Sequence, residues 1–316
     1  MECLPLPRAA NYTCAPCSIT IEGVKWAAGK NAANSCPVDN SLTHFALRAS
    51  KDHGFANEIN NLRVVSMVKP VQAFAQSVTH AIHNDSVKSH NTWLEVLKAG
   101  PPPGSGNING LNSDGTWYGG TDERFYDYLN PKLSTFVKRP ISVCSGSCTV
   151  TAQTAKTIEV HETRIPLTTR PVHYFKKESD LYHTSTEECS NNKQYEEGAC
   201  RGLVDYGTLE IPPGKTPPLY LVARNSGALN GPEDFLQLPK VIQISDEQYQ
   251  LGMLTLFDRD RGHFTSLHNV ENEFVYYDGI SNTKNKFRRA LPSDYKQEDI
   301  YMDHALYVRT FNNKKI

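Results

Sequence analysis

The spacing of the hydrophobic positions changes about halfway along the chain. From residue 38 to about residue 136, apolar side chains recur every three or four positions, which is the period of helices that bury one face. Beyond about residue 137, segments rich in β-branched and aromatic residues alternate with polar ones, which predicts strands. A helical half followed by an antiparallel half predicts an α+β protein.

The first predicted helix begins at Cys36. Before it the residues are small and polar, as in a loop, and Ser35 and Pro37 suit the N-cap and the first turn. After it the apolar residues follow the spacing of a half-buried helix: Val38, Leu42, Phe45, Ala46 and Ala49. Cys36 is therefore expected among the unpaired backbone amides of a helix N-terminus.

A helical zone is predicted from about residue 57 to residue 97, with two or more packed helices. Its apolar positions are Val64, Val65, Met67, Val68, Val71, Phe74, Val78, Ile82, Trp93, Val96 and Leu97. Residues 99–116, with their prolines and glycines, indicate a flexible loop. A further helix is expected to open at Thr121 or Asp122 and to carry Phe125, Tyr128, Leu129, Leu133 and Phe136.

Composition excludes several classes of function. The 316 residues are 39% hydrophobic and 21% charged with a net charge of −1, so no basic field would attract nucleic acid. No apolar run is long enough to span a membrane, and the first residues do not have the order of a secretory signal. We therefore expect an intracellular protein of the cytoplasm or nucleus. We also expect a monomer. In an intracellular protein, the eight cysteines are expected to be free thiols or metal ligands rather than disulfides. Cys14 and Cys17 form a single Cys-x-x-Cys, which fits half of a zinc site, a redox pair or an ordinary loop.

Cys36 is the candidate nucleophile. The positive end of a helix dipole favours an anion, and a thiolate is the reactive form of cysteine. The alternative is that Cys36 is a small buried hydrophobic side chain, which is common beside an apolar helix face.

A predicted hairpin far down the chain supplies a partner for this thiol. His263 lies near the start of one strand and Asp278 near the end of the next, so the two can lie side by side. A carboxylate beside a histidine fixes its tautomer and leaves the other nitrogen to accept a proton. The alternatives are a hydrogen-bonded strand histidine and a turn aspartate before Gly279. His268, close to the turn, is a second histidine that we expect to be exposed.

These segments resemble the ubiquitin-specific proteases, a class of thiol hydrolases. Asn31-Ala-Ala-Asn34-Ser35-Cys36 is similar to that family's Cys box, and Gly262-His263-Phe264 with Tyr276-Tyr277-Asp278 is similar to its His box. Softer similarities lie at Thr121–Phe125, at Pro217–Leu221 and from Tyr301 to Arg309. The resemblance runs in chain order from about Asn31 to Thr310.

The resemblance implies a papain-like, USP-type cysteine protease fold with a helical thumb, an antiparallel β palm and β fingers. Residues 1–25 would be an N-terminal arm and residues 26–312 a single catalytic domain. Within it, residues 26–136 would form the thumb and residues 137–312 the palm and fingers, with the fingers at about 140–215. No cofactor is implied for catalysis.

The resemblance also implies a reaction and roles for single residues. The enzyme would cleave isopeptide or peptide bonds after the C-terminal tail of ubiquitin or a ubiquitin-like protein. Cys36 would attack, His263 would carry the proton, Asp278 would orient the imidazole, and Asn31 would donate to the oxyanion. Substrate contacts are assigned to Gly262, Asn34 and Asp122. Gly262 would let the substrate tail approach the backbone, or it is a plain turn residue.

The family's fingers often hold a structural zinc ion. Cys144, Cys148, Cys189 and Cys200 stand at the corresponding place in the chain, although Cys-x3-Cys and Cys-x10-Cys are not the usual knuckle spacings. Four thiolates can still close a tetrahedral site. The alternative is four unliganded thiols.

The residues after the nucleophile depart from the ubiquitin-specific pattern. Pro37 stands where that family has an aromatic residue, and Val38 and Asp39 are closer to the Cys box of the SUMO-specific isopeptidase relative, so the modifier is open. Such divergence is also typical of virus-encoded or transposon-encoded proteases. Two other functions therefore remain: a protease of the same fold that processes a polyprotein, and a non-catalytic module that binds a ubiquitin-like protein.

Overall fold

The computed structural model of the chain describes residues 36–83, 85–100, 125–140, 157–161, 163–165, 185–188, 203–225, 238–270, 273–279, 287–295 and 299–311. Helices come first within these ranges: α1 (Cys36–Lys51), α2 (His53–Val65), α3 (Lys69–Ile82), α4 (Ser86–Lys98) and α5 (Asp127–Leu133). Asp52 and Asp85 cap α2 and α4, because each carboxylate accepts a hydrogen bond from a backbone N–H three residues on.

Strands follow the helices. They are β1 (Phe136–Lys138), β2 (Ile158–Val160), β3 (Thr163–Ile165), β4 (Ser185–Glu188), β5 (Leu203–Tyr206), β6 (Tyr220–Asn225), β7 (Val241–Ile244), β8 (Glu247–Asp258), β9 (His263–Val270), β10 (Glu273–Tyr277), β11 (Phe287–Arg289) and β12 (Ile300–Arg309). The order of helices before strands confirms the predicted α+β class.

One eight-stranded sheet holds the second half together. Its strand order is β11-β10-β9-β8-β12-β6-β3, with β7 also paired to β8. All pairs are antiparallel except β3 with β6. β1 and β2 form one separate pair, and β4 and β5 form another. The longest strands, β8 and β12, pair with each other at the centre and carry two register shifts.

The central strands are buried on both faces of the sheet. On β12, Leu306 and Val308 belong to the core under the helices, whereas Ala305 and Tyr307 belong to a second core on the opposite face. This alternation follows from the two-residue period of a strand. The first core contains side chains from α1 to α5 and from the sheet, so the helical half and the strand half share it.

Helix α1 is buried on all sides as far as Leu47. Every side chain described from Cys36 to Leu47 is buried, including those of Asp39, Asn40 and His44. The helix packs against α2 and α3 on one side and against β8 and β9 on the other. The prediction of a half-buried helix is therefore wrong, because the local pattern of apolar residues does not show that a sheet covers the polar face of the helix.

Other differences from the expected elements are local. Val64, Val65 and Met67 were expected in the core but lie at the end of α2 and beyond it, where Met67 is 96% exposed. Phe136 is buried in β1 rather than in a helix. Within the strand-rich half, residues 158–165 contain two short strands, β2 and β3. The predicted helix caps at Thr121 and Asp122 lie outside the described residues.

Candidate active site

The Cys36 thiol lies where the start of α1 meets the start of β9. Cys36 is the first residue of α1, as predicted, and is a free cysteine that is 7% exposed. The backbone N–H of Phe264 hydrogen-bonds the sulfur, and so does the N–H of Cys36 itself. Since Phe264 directly follows His263, the thiol of the candidate nucleophile contacts the residue next to the candidate base in the chain.

The pKa of the Cys36 thiol is raised to about 12. Burial is the largest cause, and the carboxylates of Asp39 and Asp278 add to it, whereas the two backbone hydrogen bonds act in the opposite direction. The expectation that the helix N-terminus would favour a thiolate is therefore wrong for the resting site. Removal of the thiol from water outweighs the stabilisation that the helix end gives to an anion.

The predicted hairpin of β9 and β10 brings His263 and Asp278 together. His263 Nε2 and Asp278 Oδ1 are 2.9 Å apart, and both side chains are largely buried. With Nε2–H donated to the carboxylate, the lone pair of the imidazole is on Nδ1, which can accept a proton. The arrangement has the hydrogen bond that an orienting carboxylate and a general base require.

A second layer of side chains surrounds this pair. The hydroxyl of Tyr276 is hydrogen-bonded to Thr265, and its pKa is raised to about 12 by burial and by the nearby charge of Asp278. The guanidinium of Arg288 lies over the Tyr276 ring, 4.3 Å from its centroid, and is paired with Asp294. These contacts fix the strand positions from which His263 and Asp278 project.

Sequence reasoning missed the partner of Asp39. Its carboxylate lies one turn after Cys36, is buried, and is 3.0 Å from Nδ1 of His90 on α4. A buried carboxylate requires a partner, so an aspartate among the apolar positions of α1 was a signal that could have prompted the search. The sequence alone does not show which of eleven histidines it is.

His268 is not the exposed turn histidine that was expected. It is fully buried, with Nε2 2.8 Å from Ser266 Oγ and Nδ1 3.3 Å from Nδ1 of His44 on α1. Burial is the main cause that lowers the pKa of both histidines, to about 3 for His44. His44 also packs directly against Gly252, where a Cβ would come within 2.3 Å of its Nε2. The two imidazoles therefore join α1 to the sheet in neutral form.

Several predicted site residues are not described by the structure. Asn31, Asn34, Asp122 and the four cysteines Cys144, Cys148, Cys189 and Cys200 all lie outside the described residues, so the oxyanion donor, two substrate contacts and the zinc site stay predictions. Within the described ranges, no group of three or more histidine, cysteine or acidic side chains could hold a metal ion.

Gly262 is exposed in the turn before β9 and has a φ of 58°. This left-handed conformation favours glycine whether or not a substrate passes it. The turn alone therefore explains why a glycine stands at position 262, and the predicted contact with substrate would be a separate role.

None of the helices in the described ranges combines the length and the apolar character of a membrane span.

The comparison with known families gives one match that covers most of the chain. The model of the family described as dopamine receptor-interacting protein 1 matches residues 32–300. The chain belongs to this family. The match spans the start of α1, the His263–Asp278 hairpin and the first residue of β12, and its description differs from the family that the Cys and His boxes resemble.

Several solved structures match most of the chain at low identity and low TM-score. The "Ubp8-Sgf11-Sgf73-Sus1 SAGA DUB module" is 11% identical with a TM-score of 0.42, over 94% of this chain and 69% of that one. An essential yeast splicing factor is 10% identical with a TM-score of 0.41, over 92% and 70%. The papain-like protease of MERS coronavirus is 10% identical with a TM-score of 0.37, over 90% and 65%. Likenesses this low assign neither an activity nor a substrate to the chain.

Proposed function

We propose that the chain is a thiol hydrolase in which Cys36, His263 and Asp278 act as nucleophile, base and orienting carboxylate. The observation that carries the proposal is the 2.9 Å hydrogen bond between His263 and Asp278, beside a Cys36 sulfur that Phe264 N–H contacts. A histidine oriented by a carboxylate next to a thiol is the arrangement that activates a cysteine nucleophile.

The protonated resting thiol determines how the first step runs. Because the pKa of Cys36 is about 12, its proton must leave as the sulfur attacks the carbonyl, and His263 Nδ1 is the group that takes it. The imidazolium is stabilised by Asp278 and then protonates the leaving amine. Asn31 and the Cys36 N–H are the proposed donors to the oxyanion.

The proposed substrate is a protein or peptide bonded through the C-terminal tail of ubiquitin or a ubiquitin-like protein. The support is the similarity of the Cys and His boxes to the ubiquitin-specific proteases, together with the papain-like arrangement of helices against a β palm. A structural zinc in the fingers, held by the four predicted cysteines, belongs to the same proposal.

A panel of ubiquitin and ubiquitin-like propargylamide probes tests this function. We expect a covalent adduct at Cys36 with at least one probe, located by mass spectrometry. Cys36→Ala should abolish the adduct, and His263→Ala should slow it by about 100-fold or more, since general bases contribute at least that much. His53→Ala, at an exposed histidine on α2, is the matched control and should leave the rate unchanged.

A second function is favoured by the same thiol. A deeply buried cysteine with a raised pKa is also what a non-catalytic module would retain, and the family description names a receptor-interacting protein. Binding of a probe protein without any adduct, measured by calorimetry, would favour this binding module. Adduct formation that persists in Cys36→Ala would refute the assignment of the nucleophile.

A further inference from the structure

Two acidic groups lie at the N-terminal end of α1. Cys36 is the first residue of the helix, and Asp39 lies in its first turn. Residues three positions apart in a helix are neighbours, with about 5 to 6 Å between their Cβ atoms. Both side chains are buried, so little solvent screens a charge on one from the other. A helix N-terminus stabilises an anion, but a second anion beside the first is repelled by it.

His90 on α4 gives Asp39 a partner at this helix end. The carboxylate Oδ1 of Asp39 lies 3.0 Å from Nδ1 of His90, and their side chains are 3% and 1% exposed. A hydrogen bond from the imidazole N–H offsets part of the cost of removing a carboxylate from water. His90 therefore supports the ionised form of Asp39 next to the thiol.

The Cys36 thiol responds to this charge. Its pKa is raised to about 12, chiefly by burial, and the charge of Asp39 adds to the effect more than that of Asp278 does. The carboxylate that His90 contacts is therefore the stronger of the two negative charges that oppose loss of the thiol proton.

Stability alone does not explain a buried pair of aspartate and histidine. Replacing a buried ion pair with well-packed apolar residues of similar volume is often neutral or stabilising. Nearby positions of both helices carry buried apolar side chains: Val38, Leu42, Trp93 and Leu94. A polar pair in these surroundings points to a role at the thiol.

We propose that His90 is a positioning residue for the candidate nucleophile. It holds the Asp39 carboxylate beside Cys36, and the charge of this carboxylate keeps the thiol protonated in the resting site. His263 then has to take the proton as the sulfur attacks, so the thiol is protected from small electrophiles. The inference rests on the proposed role of Cys36 and adds a residue of α4 to that site.

Labelling of the full chain with N-ethylmaleimide at about pH 8 tests the proposal, because the thiolate is the form that reacts. The Cys36 peptide is followed by mass spectrometry. His90→Leu should label about threefold to tenfold faster, since a buried carboxyl that loses a donor is neutralised more readily and no longer opposes the thiolate. His90→Asn should restore the rate to within about twofold, because its Nδ2 can take the place of Nδ1 as the donor. His53→Leu, at an exposed histidine on α2, is the control.

A double variant separates the effect of charge from that of packing. If His90 acts through Asp39, His90→Leu should change labelling by less than about twofold in an Asp39→Asn background. A purely structural role would loosen the site, so the two effects would multiply. If His90→Leu alone does not fold, comparison of Asp39→Asn with the double variant still decides.

Three results would overturn the proposal. They are an unchanged labelling rate in His90→Leu, an effect of equal size in both backgrounds, and failure of His90→Asn to restore the rate. Labelling requires no turnover, so the outcome is separate from that of the ubiquitin probes.

Discussion

At the residue scale, the protonation of the Cys36 thiol bears on both candidate functions. Cys36 combines a helix-start position with deep burial, and burial dominates its pKa. A residue of this kind is slow to react with small electrophiles until a substrate or a base displaces its proton. The chemistry of the site therefore depends on His263 more than on the helix dipole.

We predict that Cys36 resists alkylation near neutral pH. With a pKa of about 12, the thiolate fraction is far below that of an exposed cysteine, so native-state iodoacetamide labelling of the Cys36 peptide, followed by mass spectrometry, should be at least about 100-fold slower at pH 7. The rate should rise with pH up to the limit at which the fold survives. Labelling at the rate of a free cysteine would contradict the burial described here.

The charge of Asp39 offers a second measurement on the same thiol. Asp39→Asn removes a carboxylate that raises the Cys36 pKa, so labelling at a given pH should become roughly threefold to tenfold faster. Asp246→Asn, in the exposed turn between β7 and β8, is the control and should change nothing. An unchanged rate in a folded Asp39→Asn variant would remove Asp39 from the electrostatics of the site.

The sequence identified some site residues and not others for a physical reason. The strand period and the turn signal predicted that His263 and Asp278 would face each other, since both depend on local pattern. The contacts of Asp39 with His90 and of His44 with His268 join distant elements, and the latter pair is 224 positions apart. The local sequence pattern carries no information about contacts between distant elements, so it predicts an exposed His268.

At the element scale, α1 is the point where helices and sheet meet. Phe45 lies at its centre and contacts four aromatic rings from outside the helix: Phe55, Phe74, Phe125 and Tyr220. The helical period predicted its burial, and the structure bears this out. The same period predicted that Val65 and Met67 would lie in the core. Both are exposed, because Val65 is the last residue of α2 and Met67 lies beyond the helix.

We predict that Phe45→Ala lowers the free energy of unfolding by about 3 to 5 kcal/mol, because it removes a ring that is completely buried and leaves a cavity. Met67→Ala should change it by less than about 0.5 kcal/mol. Urea unfolding followed by circular dichroism measures both. A loss below about 1 kcal/mol for Phe45→Ala would mean that α1 is not the centre of the core.

At the scale of the whole molecule, one hydrophobic core lies on each face of the large sheet. The elements that share a core are expected to unfold together. The core under the helices contains residues from α1 to α5 and from six strands of the sheet: β6, β8, β9, β10, β11 and β12. The strand order and the sharing of this core were beyond what periodicity predicts, because neither leaves a signature within a single element. The α+β class was predictable, since it requires only the order of helical and strand patterns.

We predict that acid destabilises the molecule through the buried His44–His268 pair. The pKa of each is lowered in the folded state, so the unfolded chain binds more protons below its own pKa of about 6.5. The contribution of the pair is complete above pH 6.5 and is lost as pH falls below that value. The expected slope is about 1.4 to 2.7 kcal/mol per pH unit for one or two protons.

Urea unfolding between pH 7 and pH 4.5 measures this dependence. The double variant His44→Gln and His268→Gln should have a flatter profile, and His53→Gln, at the exposed histidine on α2, should keep the original slope. A double variant as steep as the unchanged protein would assign the pH dependence to other groups.

The contact between α1 and β9 also sets when the chain can complete its fold. His44 and His268 are separated by 224 residues, and ribosomes add about 5 to 20 residues per second, so α1 emerges about 10 to 45 s before the strand that covers it. During that interval the polar and apolar faces of α1 have no sheet to pack against. Until β9 has been synthesised, the nascent chain therefore carries an uncovered central helix, which makes it a natural client for chaperones that shield exposed apolar segments.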